Sequence, residues 1–425
     1  MGKQQLQSLR GMYDLLPEQT VEYDFLLSAF RSVARSAGYG RIETPLLEDK
    51  ALFERGVGAD TDAVSKEMYA FTDRSDNGVA LRPEFTAGIV RAFIEHGMNS
   101  RPQPVKMYSY GPLFRYDRPQ AGRQRQFNQV NVEVIGEAAP SIDAQVIVLA
   151  QRFFWRIHLT NITLQLNSIG DAACRGKYRQ ALIEYFTANA KKLASADRER
   201  YVNNPLRVLD SKEASTQAVL ADAPQTLNYL CEACQAHFSG VLEYLDDLGV
   251  AYELNPLLVR GLDYYTRTVF EFFGEREGSQ SALGGGGRYD ALVERLGGQP
   301  TPAIGFALGL ERIVIEMDEA GVKAAAVDAK RVYVASLGEP ARLAAFRLIE
   351  HLLDGGVGAL GAVDRDGIGS QLARADKLGV PLAIIIGQKE VREETVILRD
   401  MASGAQEVLP LGSIVAELRS RFGIV

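Results

Sequence analysis

One predicted hairpin limits the fold of this chain more than any other feature of its sequence. Its two strand patterns are KMYSYGPLFRYD at 106–117 and QFNQVNVEVIGE at 126–137, joined by a short basic loop that contains glycine. Strands joined by so short a loop run antiparallel. Further strand patterns, TVFEFF at 268–273 and AIGFAL at 303–308, occur among helical patterns without a regular alternation of strand and helix. The sequence therefore predicts an α+β core built on an antiparallel sheet.

Other stretches predict local elements around this core. Apolar residues at helical spacing predict a helix that ends at Gly38, and RIETPLLE at 41–48 alternates like a strand. The polar stretch LVRGLDYYTRT at 258–268 suggests a strand edge that lines a pocket, because a core strand would carry apolar residues on its buried face. The four glycines at 284–287 predict a loop before a helix at 288–297.

The chain divides by pattern into two predicted domains. Residues 1–325 hold the α+β core, interrupted at about 171–252 by a polar, alanine-rich helical insertion. Residues 322–330 are predicted to be a linker. Beyond it, strands alternate with helices over 329–425, which predicts a small α/β domain.

Composition excludes several classes of protein. Hydrophobic residues make up 46% of the 425 residues, enough for packed cores. No apolar run approaches the roughly 20 residues that cross a bilayer, and the N-terminal stretch has no signal-peptide pattern. Three cysteines suit a reducing compartment better than a disulfide framework. We therefore expect a cytoplasmic protein without membrane association.

The distribution of charge is more informative than its sum. The net charge is −7, yet residues 115–125 carry four arginines against one aspartate. A guanidinium fork suits phosphate oxygens, and Arg260 and Arg312 also follow or precede strand patterns. Neither a Walker sequence nor GxGxxG occurs in a strand–turn–helix context. If the protein binds ATP, we expect it to do so on an antiparallel sheet lined with arginines.

Five sequence stretches together carry a family resemblance. They are GYGRIETPLLE, FRYDRPQAGRQRQFNQVNVEVIGE, PAIGFALGLERIV, LVRGLDYYTRTVFEF and ALGGGGRYDALVERLGG. The first three resemble the three motifs of class II aminoacyl-tRNA synthetases, and the last two resemble the pair that distinguishes the histidyl-tRNA synthetase family. The resemblance runs from RGMYDLLP near the start into the C-terminal region. It implies a class II antiparallel catalytic core with a helical insertion and a C-terminal α/β anticodon-binding domain.

The resemblance also implies roles for particular residues. Glu84 and Thr86 in RPEFTAG would hold the α-ammonium group of the amino acid, for which a carboxylate is the natural partner. Arg115 would contact the α-phosphate of ATP and the amino-acid carboxylate. Arg123 and Arg312 would hold the outer phosphates.

A second set of residues would recognise the histidine side chain and assist the reaction. Gln129 and Glu133 share one face of their predicted strand. Glu133 would accept a hydrogen bond from one imidazole nitrogen, and Tyr265, or alternatively Tyr264, would serve the other. Arg260 would stabilise the negative charge that develops at the α-phosphate. The structural alternative pairs Arg260 with Asp263 or another nearby acid.

The resemblance implies an enzyme that joins L-histidine to tRNA(His) through a histidyl-adenylate, with ATP as substrate, Mg²⁺ as cofactor and a homodimeric assembly. One alternative is a non-catalytic, histidine-sensing regulatory paralogue of ATP phosphoribosyltransferase. Such a paralogue tends to lose the RGLDYY chemistry and the C-terminal domain, and both are intact here. Another alternative is adenylation of glycine, threonine or proline, which would leave Glu133 and Tyr265 unsatisfied.

Cysteines and histidines offer a weaker hypothesis. Cys231 and Cys234 form CEAC, with His237 close behind and Cys174 elsewhere in the insertion, so a zinc site is conceivable. Both cysteines also fit an apolar helical stripe, and we therefore predict no metal site. His96, His158 and His351 are interpreted as packed or surface residues. In the C-terminal domain the candidate RNA contacts are Arg365, Arg374 and Lys377, and the alternative is that these residues only form solvated helix faces.

Overall fold

The computed structural model describes residues 6–59, 61–275, 282–324, 331–361 and 367–424. The chain separates into two compact units, Met1–Ala324 and Ala325–Val425. The strands of the first unit are β1 (Gly40–Arg41), β2 (Leu47–Asp49), β3 (Ala70–Thr72), β4 (Gly78–Leu81), β5 (Val105–Phe114), β6 (Gln126–Ile135), β7 (Thr163–Ser168), β8 (Glu253–Leu254), β9 (Thr266–Phe273), β10 (Ala282–Arg288) and β11 (Ala303–Gly309). Its helices are α1 (Pro17–Ser36), α2 (Lys50–Phe53), α3 (Asp62–Ser65), α4 (Thr86–Glu95), α5 (Pro140–Arg156), α6 (Ala172–Ala188), α7 (Ser195–Arg200), α8 (Ala214–Leu220), α9 (Glu232–Asp247), α10 (Leu292–Arg295) and α11 (Leu310–Glu319).

A large sheet organises the first unit. Within the described ranges it has eight strands in the order β1-β5-β6-β11-β10-β9-β7-β8. The predicted hairpin is confirmed, because β5 and β6 pair antiparallel from Val105 opposite Ile135 to Phe114 opposite Gln126. The inner strands from β5 to β7 are antiparallel to their neighbours, and the short edge strands β1 and β8 pair parallel. The α+β prediction for the core is therefore confirmed.

The glycine run forms a central strand of this sheet, and the predicted loop is wrong. Gly286 in β10 lies opposite Phe306 of β11 on one side and Phe270 of β9 on the other. A Cβ atom at Gly286 would overlap the carbonyl oxygen of Gly305. Strand patterns rest on side-chain alternation, which glycines lack, so the position of β10 is set by its two neighbours. The helix predicted after it shortens to the single turn of α10.

Two predicted strands also differ from the structure. The stretch 41–48 breaks into β1 and β2 on either side of Pro45, and β2 belongs to a separate small sheet with β3 and β4. The stretch 258–265 is irregular backbone that leads into β9. Proline cannot donate a ladder hydrogen bond, which explains the first break. The irregular path leaves the polar side chains of the second stretch free of a strand's strict alternation.

Helices α1 and α5 cover the sheet through aromatic packing. Phe30 of α1 meets Tyr108 of β5 with ring centroids 5.9 Å apart and Phe153 of α5 at 5.5 Å. A buried charged cluster joins α5, α9 and the end of β10. Arg288 is fully buried and forms an ion pair with Asp143, whose carboxylate also lies 2.8 Å from Nε2 of His237. Paired burial of this kind avoids the large cost of an isolated charge.

The residues after β7 form a helical region. Tyr178, Leu182 and Phe186 of α6 pack with Val208 and Val219 in a hydrophobic cluster of their own. Helix α9 instead packs on α5, and its Val241 and Leu245 belong to the core beneath the large sheet. The helical insertion at about 171–252 remains a prediction as a domain.

The second unit has mixed α/β architecture, as predicted. Within the described part of the unit, its strand order is β13-β12-β14-β15-β16, with β12 parallel to both neighbours and the last three strands antiparallel. The strands are β12 (Arg331–Ser336), β13 (Gly358–Gly361), β14 (Leu382–Ile386), β15 (Thr395–Asp400) and β16 (Gln406–Pro410), and the helices are α12 (Glu339–Asp354), α13 (Ile368–Lys377), α14 (Gln388–Glu393) and α15 (Ile414–Phe422). In neither unit do the described residues include a helix with the length and apolarity required to cross a bilayer.

Candidate active site

A cavity of about 760 Å³ opens over the glycine strand β10 in the first unit. Its volume is in the range of pockets that hold small molecules. Gly284 and Gly285 contribute to its lining, so part of its wall is bare backbone. Nearly all the predicted site residues also line it: Glu84, Thr86, Arg115, Arg123, Gln129, Arg260, Tyr264, Tyr265 and Arg312. Glu133 is the predicted residue that the lining lacks.

The start of helix α4 positions Glu84 and Thr86. The Glu84 carboxylate accepts hydrogen bonds from the backbone N–H groups of Thr86 and Ala87, at 2.6 and 2.7 Å. Burial raises the pKa of Glu84, and the two N–H donors act in the opposite direction. A carboxylate has about four lone-pair sites, so two acceptor positions remain for a cation in the cavity.

Glu133 lies behind this wall and is completely buried. Its carboxylate accepts hydrogen bonds from Thr86 Oγ1 at 2.5 Å, from Asn131 Nδ2 at 3.0 Å and from the Tyr289 hydroxyl. Burial raises the pKa of Glu133 to about 7, against the lowering effect of these three donors. In this state Glu133 touches the cavity only through the residues that it orients, and its direct contact with an imidazole remains a prediction.

Arg260 lies at the cavity wall with a carboxylate beside it. Its Nη1 forms an ion pair with Glu271 of β9, and its guanidinium lies 5.9 Å from the ring centroid of Tyr265. Burial disfavours the charge and is the largest single effect, but Glu271 together with Tyr265 and Tyr264 raises the pKa of Arg260 overall. The sequence alternative in which Arg260 pairs with Asp263 or another nearby acid therefore corresponds to Glu271. The buried Nε has no hydrogen-bond partner among the described residues.

Three further arginines surround the cavity with different partners. Arg115 donates from Nε to the Pro83 carbonyl at 3.0 Å, and burial lowers its pKa. Arg123 is 40% exposed and forms an ion pair with Asp117. Arg312 donates to the carbonyls of Gly122 and Ala282, at 3.0 and 2.6 Å. Burial, reinforced by the charge of Arg123, lowers the pKa of Arg312, so these cations favour an anionic ligand.

Comparison with known proteins places the chain in a family. A sequence model described as histidyl-tRNA synthetase matches residues 11–313, and one described as anticodon binding domain matches residues 331–421. A curated histidine–tRNA ligase from Pelotomaculum thermopropionicum is 45% identical over 97% of each chain. The chain belongs to the histidyl-tRNA synthetase family. The predicted resemblance is confirmed.

Solved structures agree with this membership. The apo histidyl-tRNA synthetase of S. aureus is 33% identical, with a TM-score of 0.82 over 98% of this chain and 100% of the other. A structure from Bacillus halodurans C, described as an ATP phosphoribosyltransferase regulatory subunit/histidyl-tRNA synthetase, is 22% identical with a TM-score of 0.64. It covers 90% of this chain and 97% of its own, and at that identity it supports the fold alone.

Within this synthetase-family site, three side chains were missed by sequence reasoning. Asn131 lines the cavity and donates a hydrogen bond to Glu133. The Tyr289 hydroxyl also donates to Glu133, and Glu271 forms an ion pair with Arg260. All three had a sequence signal. Glu271 is the one charge in the apolar strand TVFEFF, and Tyr289 sits within the family motif GGGGRYD. Asn131 shares its strand parity with Gln129 and Glu133, which would also have placed it on the same face.

Three tyrosines pack against one another beside the cavity. Tyr264 and Tyr265 are both buried, with ring centroids 4.7 Å apart, and Tyr264 meets Tyr289 edge-on at 5.6 Å. Burial raises the pKa of each hydroxyl, so all three remain protonated near neutral pH. Protonated hydroxyls can both donate and accept, which suits a ligand nitrogen of either kind.

The other predicted residues are distributed away from the cavity. His237 belongs to the buried cluster with Asp143 and does not join the cysteines. His96, His158 and His351 are exposed. On α13 of the anticodon-binding domain Arg374 and Lys377 are exposed, whereas Arg365 lies outside the described residues.

The buried carboxyl of Glu133 predicts a specific pH dependence of stability. Its pKa rises from 4.5 to about 7 on folding, so between these values the folded protein keeps a proton that the unfolded chain has lost. Stability should therefore fall as pH rises from about 4.5 to about 7, by about 3 kcal/mol from this group. Glu133→Gln should remove that part of the loss. Denaturant unfolding at pH 5 and pH 8 measures it, with the exposed Glu243→Gln as control, and equal losses in all three proteins would contradict the prediction.

Proposed function

We propose that this protein joins L-histidine to tRNA(His) in an ATP-dependent reaction that passes through histidyl-adenylate. The observation that carries the proposal is the convergence of Glu84, Arg115 and Arg260 with the tyrosine pair on one cavity, in a chain of the histidyl-tRNA synthetase family. The cavity offers a carboxylate for an ammonium group, guanidinium groups for phosphates and hydroxyls for an imidazole.

The α-ammonium and α-carboxylate groups of histidine are proposed to bind at the start of α4. Glu84 is fixed there by two backbone N–H groups and would accept hydrogen bonds from the α-ammonium group. Thr86 would add a hydroxyl, and Arg115, which donates to the Pro83 carbonyl beside Glu84, would pair with the carboxylate. Because these groups are held by helix and strand backbone, the amino acid would be oriented before it reacts.

The imidazole is proposed to lie between Gln129 and the tyrosine pair. Tyr265, or Tyr264 beside it, would serve one ring nitrogen. Glu133 would bind the other ring nitrogen directly or through Thr86. The Thr86 hydroxyl donates a hydrogen bond to the Glu133 carboxylate at 2.5 Å. Buried polar groups of this kind can reject amino acids that lack matching nitrogens by up to ~10⁴–10⁵-fold.

In the proposed first step a carboxylate oxygen of histidine attacks the α-phosphorus of ATP. The bond to the bridging oxygen breaks, and pyrophosphate leaves with both electrons of that bond. Arg260 would stabilise charge at the α-phosphate, and Arg123 and Arg312 would hold the outer phosphates. A ribose hydroxyl at the 3′ end of the tRNA then attacks the carbonyl of the adenylate, and AMP leaves.

Mg²⁺ is part of the proposal because the cavity supplies suitable ligands. Glu67, Asp117 and Glu271 line it, and carboxylate oxygens are the donors that Mg²⁺ prefers. These residues would hold the ion together with phosphate oxygens. When bound, Mg²⁺ neutralises phosphate charge and assists the leaving pyrophosphate.

Partners and location follow from the same proposal. The C-terminal unit would bind the anticodon stem of tRNA(His), since its residues 331–421 match an anticodon-binding family. We propose a homodimer in the cytoplasm, where charged tRNA is consumed. The regulatory alternative is disfavoured because the RGLDYY segment and the C-terminal unit are both present.

Amino-acid-dependent exchange of pyrophosphate into ATP tests the proposed function. With Mg²⁺ present and a panel of amino acids that includes glycine, threonine and proline, we expect exchange with histidine alone. Exchange with another amino acid would overturn the specificity. Histidine binding without any exchange would favour the regulatory alternative.

A further inference from the structure

Three cysteines and one carboxylate meet at a point that does not belong to the lining of the cavity. The ligand atoms of Asp171, Cys174, Cys231 and Cys234 all lie within 4.8 Å of one another. Asp171 and Cys174 stand at the start of α6, and Cys231 and Cys234 stand at the start of α9. Two helix ends separated by 60 residues of sequence thus bring four potential metal ligands together.

The distances between these atoms suit tetrahedral coordination. A Zn–S bond of about 2.3 Å places two sulfurs of a tetrahedron about 3.8 Å apart, and a Zn–O bond of about 2.0 Å places sulfur and oxygen about 3.5 Å apart. Cys174 Sγ lies 3.8 Å from Cys234 Sγ and 3.5 Å from Asp171 Oδ1. Cys231 Sγ lies 4.0 Å from both carboxylate oxygens of Asp171.

We propose that Asp171, Cys174, Cys231 and Cys234 bind one structural Zn²⁺ ion. Thiolates are soft ligands that select zinc over Mg²⁺ or Ca²⁺, and four protein ligands close the coordination sphere, as structural zinc sites require. This proposal differs from the prediction from sequence, in which both CEAC cysteines belong to an apolar helical stripe and bind no metal. His237 is not the fourth ligand, because its ring is hydrogen-bonded to Asp143. Asp171 supplies the fourth ligand instead.

The surroundings of the cluster support the assignment. Cys174 and Cys234 are buried, and Gly170 makes room for the first, since a Cβ atom there would overlap Cys174 Sγ. Three thiolates and one carboxylate around Zn²⁺ carry a net charge of −2. Arg267 offsets part of it, with its Nη2 3.7 Å from Asp171 Oδ2.

The ion would connect the helical region to the cavity. Arg175 follows the ligand Cys174 directly and donates from Nη2 to the Tyr265 carbonyl at 2.5 Å. Fixing Cys174 therefore fixes the arginine that holds the backbone of a proposed histidine-binding residue. Zinc would also tie Asp171 to Cys231 and so close the long helical segment between them.

Zinc content of the full-length protein is the direct test. Protein purified with a thiol reductant, then dialysed with equimolar Zn²⁺ and passed over a desalting column, should retain about one zinc per chain by elemental analysis. Thiol modification should release it. Co²⁺ in its place should show thiolate charge-transfer and tetrahedral absorption bands. Retention of no zinc, or recovery of a Cys174–Cys234 disulfide from protein kept under reductant, would overturn the proposal.

Matched variants separate binding from folding. Asp171→Asn keeps a side-chain oxygen that can cap α6 but loses the anionic ligand. It should weaken zinc binding by about tenfold or more, because changes even to residues that only orient metal ligands commonly lower metal affinity by about 10–100-fold. Asp222→Asn, at an exposed carboxylate of the same helical region, should bind zinc like the parent. Cys234→Ser removes a proposed thiolate ligand and should also weaken zinc binding. If that variant does not fold, Asp171→Asn still tests the site, since unchanged zinc affinity in Asp171→Asn would exclude Asp171 as a ligand.

Discussion

Replacing Arg260 by alanine is expected to lower the rate of histidyl-adenylate formation by about 10²–10³-fold. Preorganised donors at a developing charge are commonly worth about 3–4 kcal/mol of barrier. Arg260 has the attributes of such a group, because it lines the cavity and its ion pair with Glu271 favours the charged form and holds the guanidinium in place. The Kd for histidine should change only a few-fold, because Glu84 and Arg115 are proposed to hold the amino acid.

Single-turnover adenylate formation and equilibrium binding of histidine measure the two quantities separately. Arg152→Ala serves as the matched control, since Arg152 lies exposed on α5. Arg260→Lys retains charge without the planar fork and should recover only part of the rate. Thermal unfolding of each variant checks that Glu271, once unpaired, has not disrupted the fold. Equal losses in rate and in binding would remove the proposed role at the transition state.

Replacing Gly286 by alanine is expected to destabilise the first unit by at least about 3 kcal/mol, the upper end of the usual cost of overpacking. The added Cβ would overlap the backbone carbonyl of Gly305 and approach Phe306 Cα to 2.7 Å. Both are backbone atoms of a central strand, which cannot rotate away as a flexible side chain would. Soluble yield should fall with the stability.

The control for this substitution lies on α6. Gly176 is exposed there, and no atom lies within 4 Å of a Cβ built on it. Gly176→Ala should therefore stabilise the helix, by roughly 0.5–1 kcal/mol. Denaturant unfolding compares both variants with the parent. A Gly286→Ala protein as stable as the parent would mean that β10 can move away from β11.

The hairpin and the C-terminal strands were predictable because their signals are local. Alternating side chains and a short loop specify β5 and β6 without reference to the rest of the chain. The glycine strand β10 carries no such pattern, and only its partners β9 and β11 define it. Pro45 interrupts the alternating pattern at 41–48, and in the structure the predicted strand is split between two sheets on either side of it.

The site shows the same division. Polar residues in apolar elements pointed to the cavity lining, and Arg260 and Tyr265 do line it. The depth of Glu133 and the pairing of Arg260 with Glu271 depend on how distant strands pack, which periodicity does not encode. The proximity of Asp171 to the cysteines likewise arises from the approach of two helix ends.

The buried ion pair at the end of β10 has a consequence for strand alignment. A strand of glycines has no side chains to choose between one pairing and the pairing shifted by a residue, so its register is weakly specified. Arg288 ends that strand and is anchored to Asp143 and to the Glu137 carbonyl. A one-residue slip would pull its guanidinium away from Asp143 and break this buried ion pair, which is costly. Arg288 thus fixes the register of the glycine strand beneath the cavity. Residues remote from the proposed chemistry therefore determine the position of that part of the cavity wall.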